Sequence, residues 1–373
     1  MQHRQASLCL AIVLSFSNAG YSTDIHVSWS QGNDANDGRT ASHPWKSLAR
    51  VNATGLRPGD RILLHRGDQW HETLRPPSSG TRGHRIVFGA YGIGHAPLLD
   101  GRLQATATLD ANIDNNAQSH ILYRDLDMRN AREGLRIYSS GNEIRDIAIE
   151  HCRISSAPTV PGHPVSAGVY VNVQQGRIQG LLIRNNRVIP HAFGLEHWGV
   201  YIVAGASGFR IENNVIGPAG EDAITIWHSD HGRITGNHGG GNGENTIDVK
   251  DSQNIAITEN FADNDREYNI VAHDVDTQAT RGIRILHNHC LRGGQGGKLS
   301  AGIAILNVRG WRIEDNLVSQ AFGAAVLIRV DSSNAPGRIT RNQLQAWGRG
   351  QHLPPIVVQG TSTPMIFANL LRP

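Results

Sequence analysis

Apolar and polar positions alternate in three successive blocks, Glu221-Asp222-Ala223-Ile224-Thr225-Ile226-Trp227, Glu244-Asn245-Thr246-Ile247-Asp248-Val249-Lys250 and Glu267-Tyr268-Asn269-Ile270-Val271-Ala272-His273. The blocks begin at 221, 244 and 267, a strict period of 23 residues. In each, two apolar residues flank one that points the other way, the pattern of a strand with one buried face. A repeat this short predicts stacked coils, with equivalent residues directly above one another roughly 4.8 Å apart. Glu221, Glu244 and Glu267 then form one column, and Trp227, Lys250 and His273 another. Asp248, two residues before Lys250, shares its outward face.

The same pattern runs along most of the chain. An apolar residue is followed three positions later by asparagine at Ile183/Asn186, Ile211/Asn214, Ile234/Asn237, Ile257/Asn260, Ile285/Asn288, Ile313/Asn316, Ile339/Asn342 and Ile366/Asn369. Between markers lies a second strand, often opened by glycine, as in Gly134-Leu135-Arg136-Ile137, Gly168-Val169-Tyr170-Val171, Gly199-Val200-Tyr201-Ile202 and Gly302-Ile303-Ala304-Ile305. The asparagines are expected to form an internal ladder of stacked amides that satisfies turn backbone groups. Leucine-rich repeats are shorter and propeller blades longer, which leaves a parallel β-helix. The extra length of the longer coils falls in loops, the longest from Ser155 to Ala167.

Ahead of the repeat, Ile25-His26-Val27-Ser28 reads as a strand and Pro44 to Val51 as one short amphipathic helix started near Ser42 to Pro44. Residues 20–85 are therefore expected to cap the solenoid, covering its apolar interior and open strand edges, and residues 86–373 to form the β-helix. Residues 1–19 carry His3 and Arg4, an apolar run from Leu8 to Phe16 and small residues ending at Ala19, the plan of a signal peptide. Export follows, to the periplasm or beyond if the source is bacterial. No later stretch is long and apolar enough to span a bilayer.

Composition narrows the partners. The net charge of +3 is spread without a basic run, which speaks against nucleic acid. Lys46, Lys250 and Lys298 are the chain's three lysines, so one inside the central block stands out. Cys152 and Cys290 lie coils apart, beyond disulfide reach, and read as buried small apolar residues. A soluble monomer is expected.

With cap and repeats in view, the chain resembles the right-handed parallel β-helix proteins of the pectate-lyase-like superfamily. Gly32-Asn33-Asp34, Asn36-Asp37-Gly38, Pro44-Trp45, Pro58-Gly59-Asp60 and Gly89-Ala90-Tyr91-Gly92 look like the opening of its secreted members. Glu244 to Lys250 is similar to the acidic Ile-Asp-x-Lys segment of family 9 polysaccharide lyases. There the acids bind calcium and the base is a separate, later lysine. Here the paired aspartates are replaced by Glu244 and Asn245, and the later lysine is Lys298. In family 6 lyases a lysine and an arginine on neighbouring coils act beside a calcium held by asparagine and glutamates. Lys250 fits that lysine, but its neighbour one coil on is His273.

The resemblance implies β-elimination: removal of the C5 proton of a uronic acid and expulsion of the sugar at C4. Calcium would neutralise the substrate carboxylate, and Glu221, Asp222, Glu244, Asn245, Asp248 and Glu267 are the candidate ligands. Lys250 is the candidate base or carboxylate clamp and His273 the proton donor or alternative base. Arg266, Arg284 and Arg329 are candidate partners of substrate carboxylates, with Arg266 grouped with Lys250 and His273 as a candidate catalytic residue. Tyr170, Tyr201 and Trp227 are placed to stack on sugar rings, with Trp198 in a neighbouring loop. Two alternatives use the same surface. A glycoside hydrolase of the polygalacturonase-like type would employ two of the acids, and a non-catalytic carbohydrate-binding solenoid would rely on the aromatics.

Overall fold

The computed structural model describes residues 22–102, 110–157, 165–190, 196–275, 280–296, 300–330, 337–348, 353–361 and 363–372. Its strands form sheets of 13, 12 and 10 strands and a small one of three, in which consecutive coils stack and neighbouring strands run parallel. This is the expected right-handed parallel β-helix. The proposed signal peptide, the middle of the Ser155–Ala167 loop and Lys298 lie outside the described residues.

Inward side chains fill the solenoid. Ile183, Ile211, Ile234, Ile257, Ile285, Ile313, Ile339 and Ile366 pair in sequence along the 13-stranded sheet. All but Ile366 are fully buried, each worth about 1.5–3 kcal/mol in apolar transfer.

The asparagines three residues on form the expected ladder. Each Nδ2 donates to the Oδ1 of the next, from Asn186 through Asn214, Asn237, Asn260, Asn288, Asn316 and Asn342 to Asn369. The residue before each is left-handed: Asn185, Asn213, Gly236, Glu259, His287, Asp315, Arg341 and Ala368 all have φ between 55° and 66°. That conformation costs a non-glycine residue about 1–2 kcal/mol. It turns the chain sharply between sheets and leaves backbone groups inside, which the amides satisfy.

At the N-terminal end the sequence reading needs two adjustments. The helix spans Leu48–Asn52, capped by Ser47, whose hydroxyl accepts from the Arg50 N–H. It starts later than expected because Trp45 is held extended, bridging Val27 and accepting from the Ser28 N–H. The strands Asp24–Val27 and Arg61–His65 already belong to the 13-stranded sheet. The coil stack thus reaches into residues 20–85. Cys152 and Cys290 are free and buried.

Candidate active site

The strand Asn245–Lys250 lies in the ten-stranded sheet between Ile224–Trp227 and Tyr268–His273. Ile224, Ile247 and Ile270 point into the core and hold the three strands in register. Outward, Thr225, Asp248 and Val271 form one column, and Trp227, Lys250 and His273 the next. Backbone bonds from Glu244 to Glu221 and from Glu267 to Glu244 stack the three glutamates as the period predicted.

Asp248 is the buried centre of this face, only 2% exposed. Its Oδ2 is 2.9 Å from Lys250 Nζ and its Oδ1 2.9 Å from His273 Nε2. Lys250 and His273 cover it and remain about one-fifth exposed, at 22% and 23%. Burial alone would raise the Asp248 pKa, but His273 and then Lys250 outweigh it and leave the carboxyl below its usual range. Burial pulls the other way on Lys250 and His273, and the Asp248 charge wins for both, raising their pKa values. With Nε2 on Asp248, Nδ1 is the atom through which His273 can exchange a proton.

Beneath this trio lies Asp222, fully buried. It accepts from the Thr225 hydroxyl at 2.6 Å and from the Asn245 N–H and Nδ2 at 3.0 and 2.9 Å. Burial and the Asp248 charge push its pKa up to about 7. At the rim, burial and the charges of Asp222 and Glu221 push Glu244 up to about 8. Tyr201 flanks the cluster. Burial raises its phenol to about 12, with Lys250 pulling in the opposite direction. Trp198 stacks on it at 4.4 Å and Tyr170 meets it edge-on at 5.9 Å. The Trp227 indole N–H donates to Asp251 Oδ2 at 3.0 Å.

Several predicted roles change. Asp222 and Asn245 bond to each other, and Asn245 Oδ1 accepts from the Tyr268 N–H. Asp248 is committed to its two cations. Three of the six proposed calcium ligands, Asp222, Asn245 and Asp248, are thus engaged by partners within the protein. Among the described residues no group of three or more His, Cys, Asp or Glu is arranged to hold a metal. Arg284 sits in the 13-stranded sheet, stacked between Ala256 and Arg312, on a different face of the solenoid. Arg266 is exposed in the turn before Tyr268, its side chain lying along Gly296 of the next coil. Arg329 stands two rungs beyond His273 in the same column and acts electrostatically on Tyr268. Trp198 lies within the strand His197–Ala204, not in a loop.

The family model described as periplasmic copper-binding protein (NosD) matches residues 179–371, more than half of the chain. The chain belongs to the NosD family. For copper, as for calcium, this NosD-family chain offers no ready ligand set among its described residues. Both cysteines are buried with thiol pKa values raised by desolvation, the opposite of a thiolate poised for a metal. A lacto-N-biosidase of Bifidobacterium longum subsp. longum is 38% identical over 74 residues, 19% of this chain and 5% of that protein. The chain thus matches only a small part of that relative's length. Among solved structures, a GH136 lacto-N-biosidase from Eubacterium ramulus superposes with a TM-score of 0.66 at 16% identity, over 94% of this chain and 68% of its own. A mannuronan C-5 epimerase A-module from Azotobacter vinelandii gives 0.58 at 11%, over 93% and 95%. An alginate lyase from Paenibacillus gives 0.53 at 15%, over 91% and 99%. These likenesses establish the shared β-helix fold.

The buried acids make stability depend on pH. Asp222 and Asp265, raised from 3.8 to about 7, keep protons that the unfolded chain releases, so their contribution declines as pH rises through that window. His273, raised above 6.5, contributes stability that is full below 6.5 and lost as pH rises through its native value. Asp248, lowered from 3.8, contributes stability present above 3.8 and lost as pH falls through its native value. The thermal midpoint should therefore fall between about pH 5 and pH 8, and Asp222→Asn should flatten the slope. A midpoint that rises over this range would contradict the assignment.

Proposed function

We propose that the protein is an exported carbohydrate-active enzyme that cleaves a uronic-acid-containing polysaccharide by β-elimination. The observation that carries this reading is the layering of the Asp248 cluster. The acids Asp222 and Asp248 lie underneath with their oxygens engaged, whereas a cation and an imidazole face outward. A hydrolase must present its two carboxyl groups to the sugar; an elimination needs a carboxylate clamp and a base.

Lys250, held charged by Asp248, neutralises the substrate carboxylate and makes the neighbouring C5 proton more acidic. Asp248 orients His273 as a positioning residue. The neutral imidazole takes the C5 proton at Nδ1, the electron pair forms the C4–C5 double bond and the C4–O bond breaks. Tyr201, kept protonated by its raised pKa, returns a proton to the departing oxygen. No step requires a metal. The carbohydrate-acting names of the solved relatives support the substrate class, and the family's periplasmic description supports export.

A second reading rests on Glu244, whose pKa of about 8 would keep it protonated at neutral pH, as the general acid of a hydrolase requires. Incubation of the purified protein with a panel of polyuronates separates the two. Growing ultraviolet absorbance of unsaturated uronate ends, insensitive to a chelator, is the expected result. New reducing ends without absorbance would favour the hydrolase, and absorbance abolished by the chelator would restore the calcium expectation.

A further inference from the structure

The outward face that carries Asp248 continues toward the N-terminal coils as a second patch. Strands Glu133–Ser139, Ser166–Val173 and His197–Ala204 lie side by side, aligning Arg136, Tyr170 and Tyr201 in the column that leads on to Thr225 and Asp248. Four rungs separate Arg136 from Asp248, about 19 Å. Tyr170 and Trp198 are half-buried and offer ring surface above the fully packed strands. The Tyr170 hydroxyl is fixed by the Asn172 amide, which donates to it at 3.1 Å.

Among the buried polar atoms described on these same strands, Glu133 Oε2, Asn172 Oδ1 and Trp198 Nε1 have no hydrogen-bond partner. Glu133 and Trp198 stand in one column with only the small Ala167 between them. Glu133 is 3% exposed. Its Oε1 accepts from Arg132 Nε at 3.1 Å, while Oε2 is 3.8 Å from Arg136 Nη1, too far for a direct bond. Buried polar groups are nearly always partnered, and each exception calls for an explanation such as a water or a ligand. Two acceptors and one donor beside aromatic rings complement the hydroxyl groups and apolar face of a sugar.

We propose that this patch is a distal glycan subsite. Tyr170 and Trp198 stack on a sugar unit several positions from the reacting bond, and Glu133 Oε2, Asn172 Oδ1 and the Trp198 N–H engage its hydroxyls. The proposal rests on the elimination reading only for which polymer is bound, since a chain crossing His273 along the sheet would pass over this column. It makes long oligosaccharides better ligands than short ones.

The test is calorimetric titration of short and long oligouronates into His273→Gln protein, which retains the patch. The parent should bind the long ligand more tightly than the short one. Tyr170→Ala should weaken the long ligand about tenfold, the loss of roughly 1.4 kcal/mol, and leave the short one unchanged. Glu133→Gln, nearly isosteric, should weaken it in the same sense without lowering the thermal midpoint. Equal affinity for long and short ligands, or long-ligand affinity untouched by both substitutions, would overturn the subsite. The latter result would assign the unpartnered atoms to structural water. Tyr170-dependent binding without turnover of the same polymer by the wild type would tell against elimination while leaving the subsite standing.

Discussion

Replacing Lys250 by methionine will end turnover and lower the stability of the protein by about 1–3 kcal/mol, the cost of removing one of the two hydrogen-bonded cations that partner a buried carboxylate. An outward residue of a solenoid ordinarily contributes little to its core, and the period alone suggests such a role for Lys250. The structure gives it a second one, because among the described residues Lys250 and His273 are the cations paired with Asp248, which is 2% exposed. The double variant Lys250→Met/Asp248→Asn should regain most of the stability and none of the activity. His273→Gln should leave residual turnover reduced by about 10²–10⁴-fold, the range of a lost general base. It should also remove the rise of kcat/KM with pH that accompanies deprotonation of His273 in the wild type. Denaturant unfolding and initial rates on the four proteins check both halves. Unimpaired turnover in Lys250→Met would remove it from the site.

The second large effect is expected far from the chemistry. Asn260→Ala should cost about 3–5 kcal/mol, because several buried groups lose their partners together. Asn260 Nδ2 donates to the carbonyls of Ile234 and Thr258 and to Asn288 Oδ1, at 2.9, 3.0 and 3.0 Å. Its Oδ1 accepts from Asn237 N and Nδ2, at 2.9 and 3.0 Å. The same change at Asn369, where the ladder is partly exposed, should cost less than about 1 kcal/mol, since water can replace the lost bonds. Equal losses at the two positions would mean that the ladder is not what holds the turns.

These two cases mark how far the sequence reaches. The ladder was legible because isoleucine and asparagine recur together, and stacking converts such a period directly into contacts. The columns of Lys250 with His273 and of the three glutamates followed from the same arithmetic. Depth was not legible. Strand alternation assigns Asp248 to the outward face, but only side-chain packing shows that Lys250 and His273 close over it. Asp222 read as a surface ligand and is fully buried, because Thr225 and Asn245 fold around its carboxyl. Arg284 was grouped with the site although it faces outward from another sheet. A solenoid has several faces, and charge type does not say which one a residue occupies. Glu133, Arg136 and Asn172 went unnoticed in the sequence, where only the alignment of Gly134-Leu135-Arg136 with Gly168-Val169-Tyr170 could have drawn them into the column.

The central claim is that this face breaks a glycosidic linkage by elimination, and its most direct test is the origin of the oxygen in the products. Polyuronate would be digested in ¹⁸O-labelled water and the oligosaccharides weighed by mass spectrometry. Elimination predicts products lighter by one water than their saturated counterparts, with no solvent oxygen incorporated on cleavage. Saturated products carrying one labelled oxygen for each bond cut would contradict it and transfer the reaction to hydrolysis.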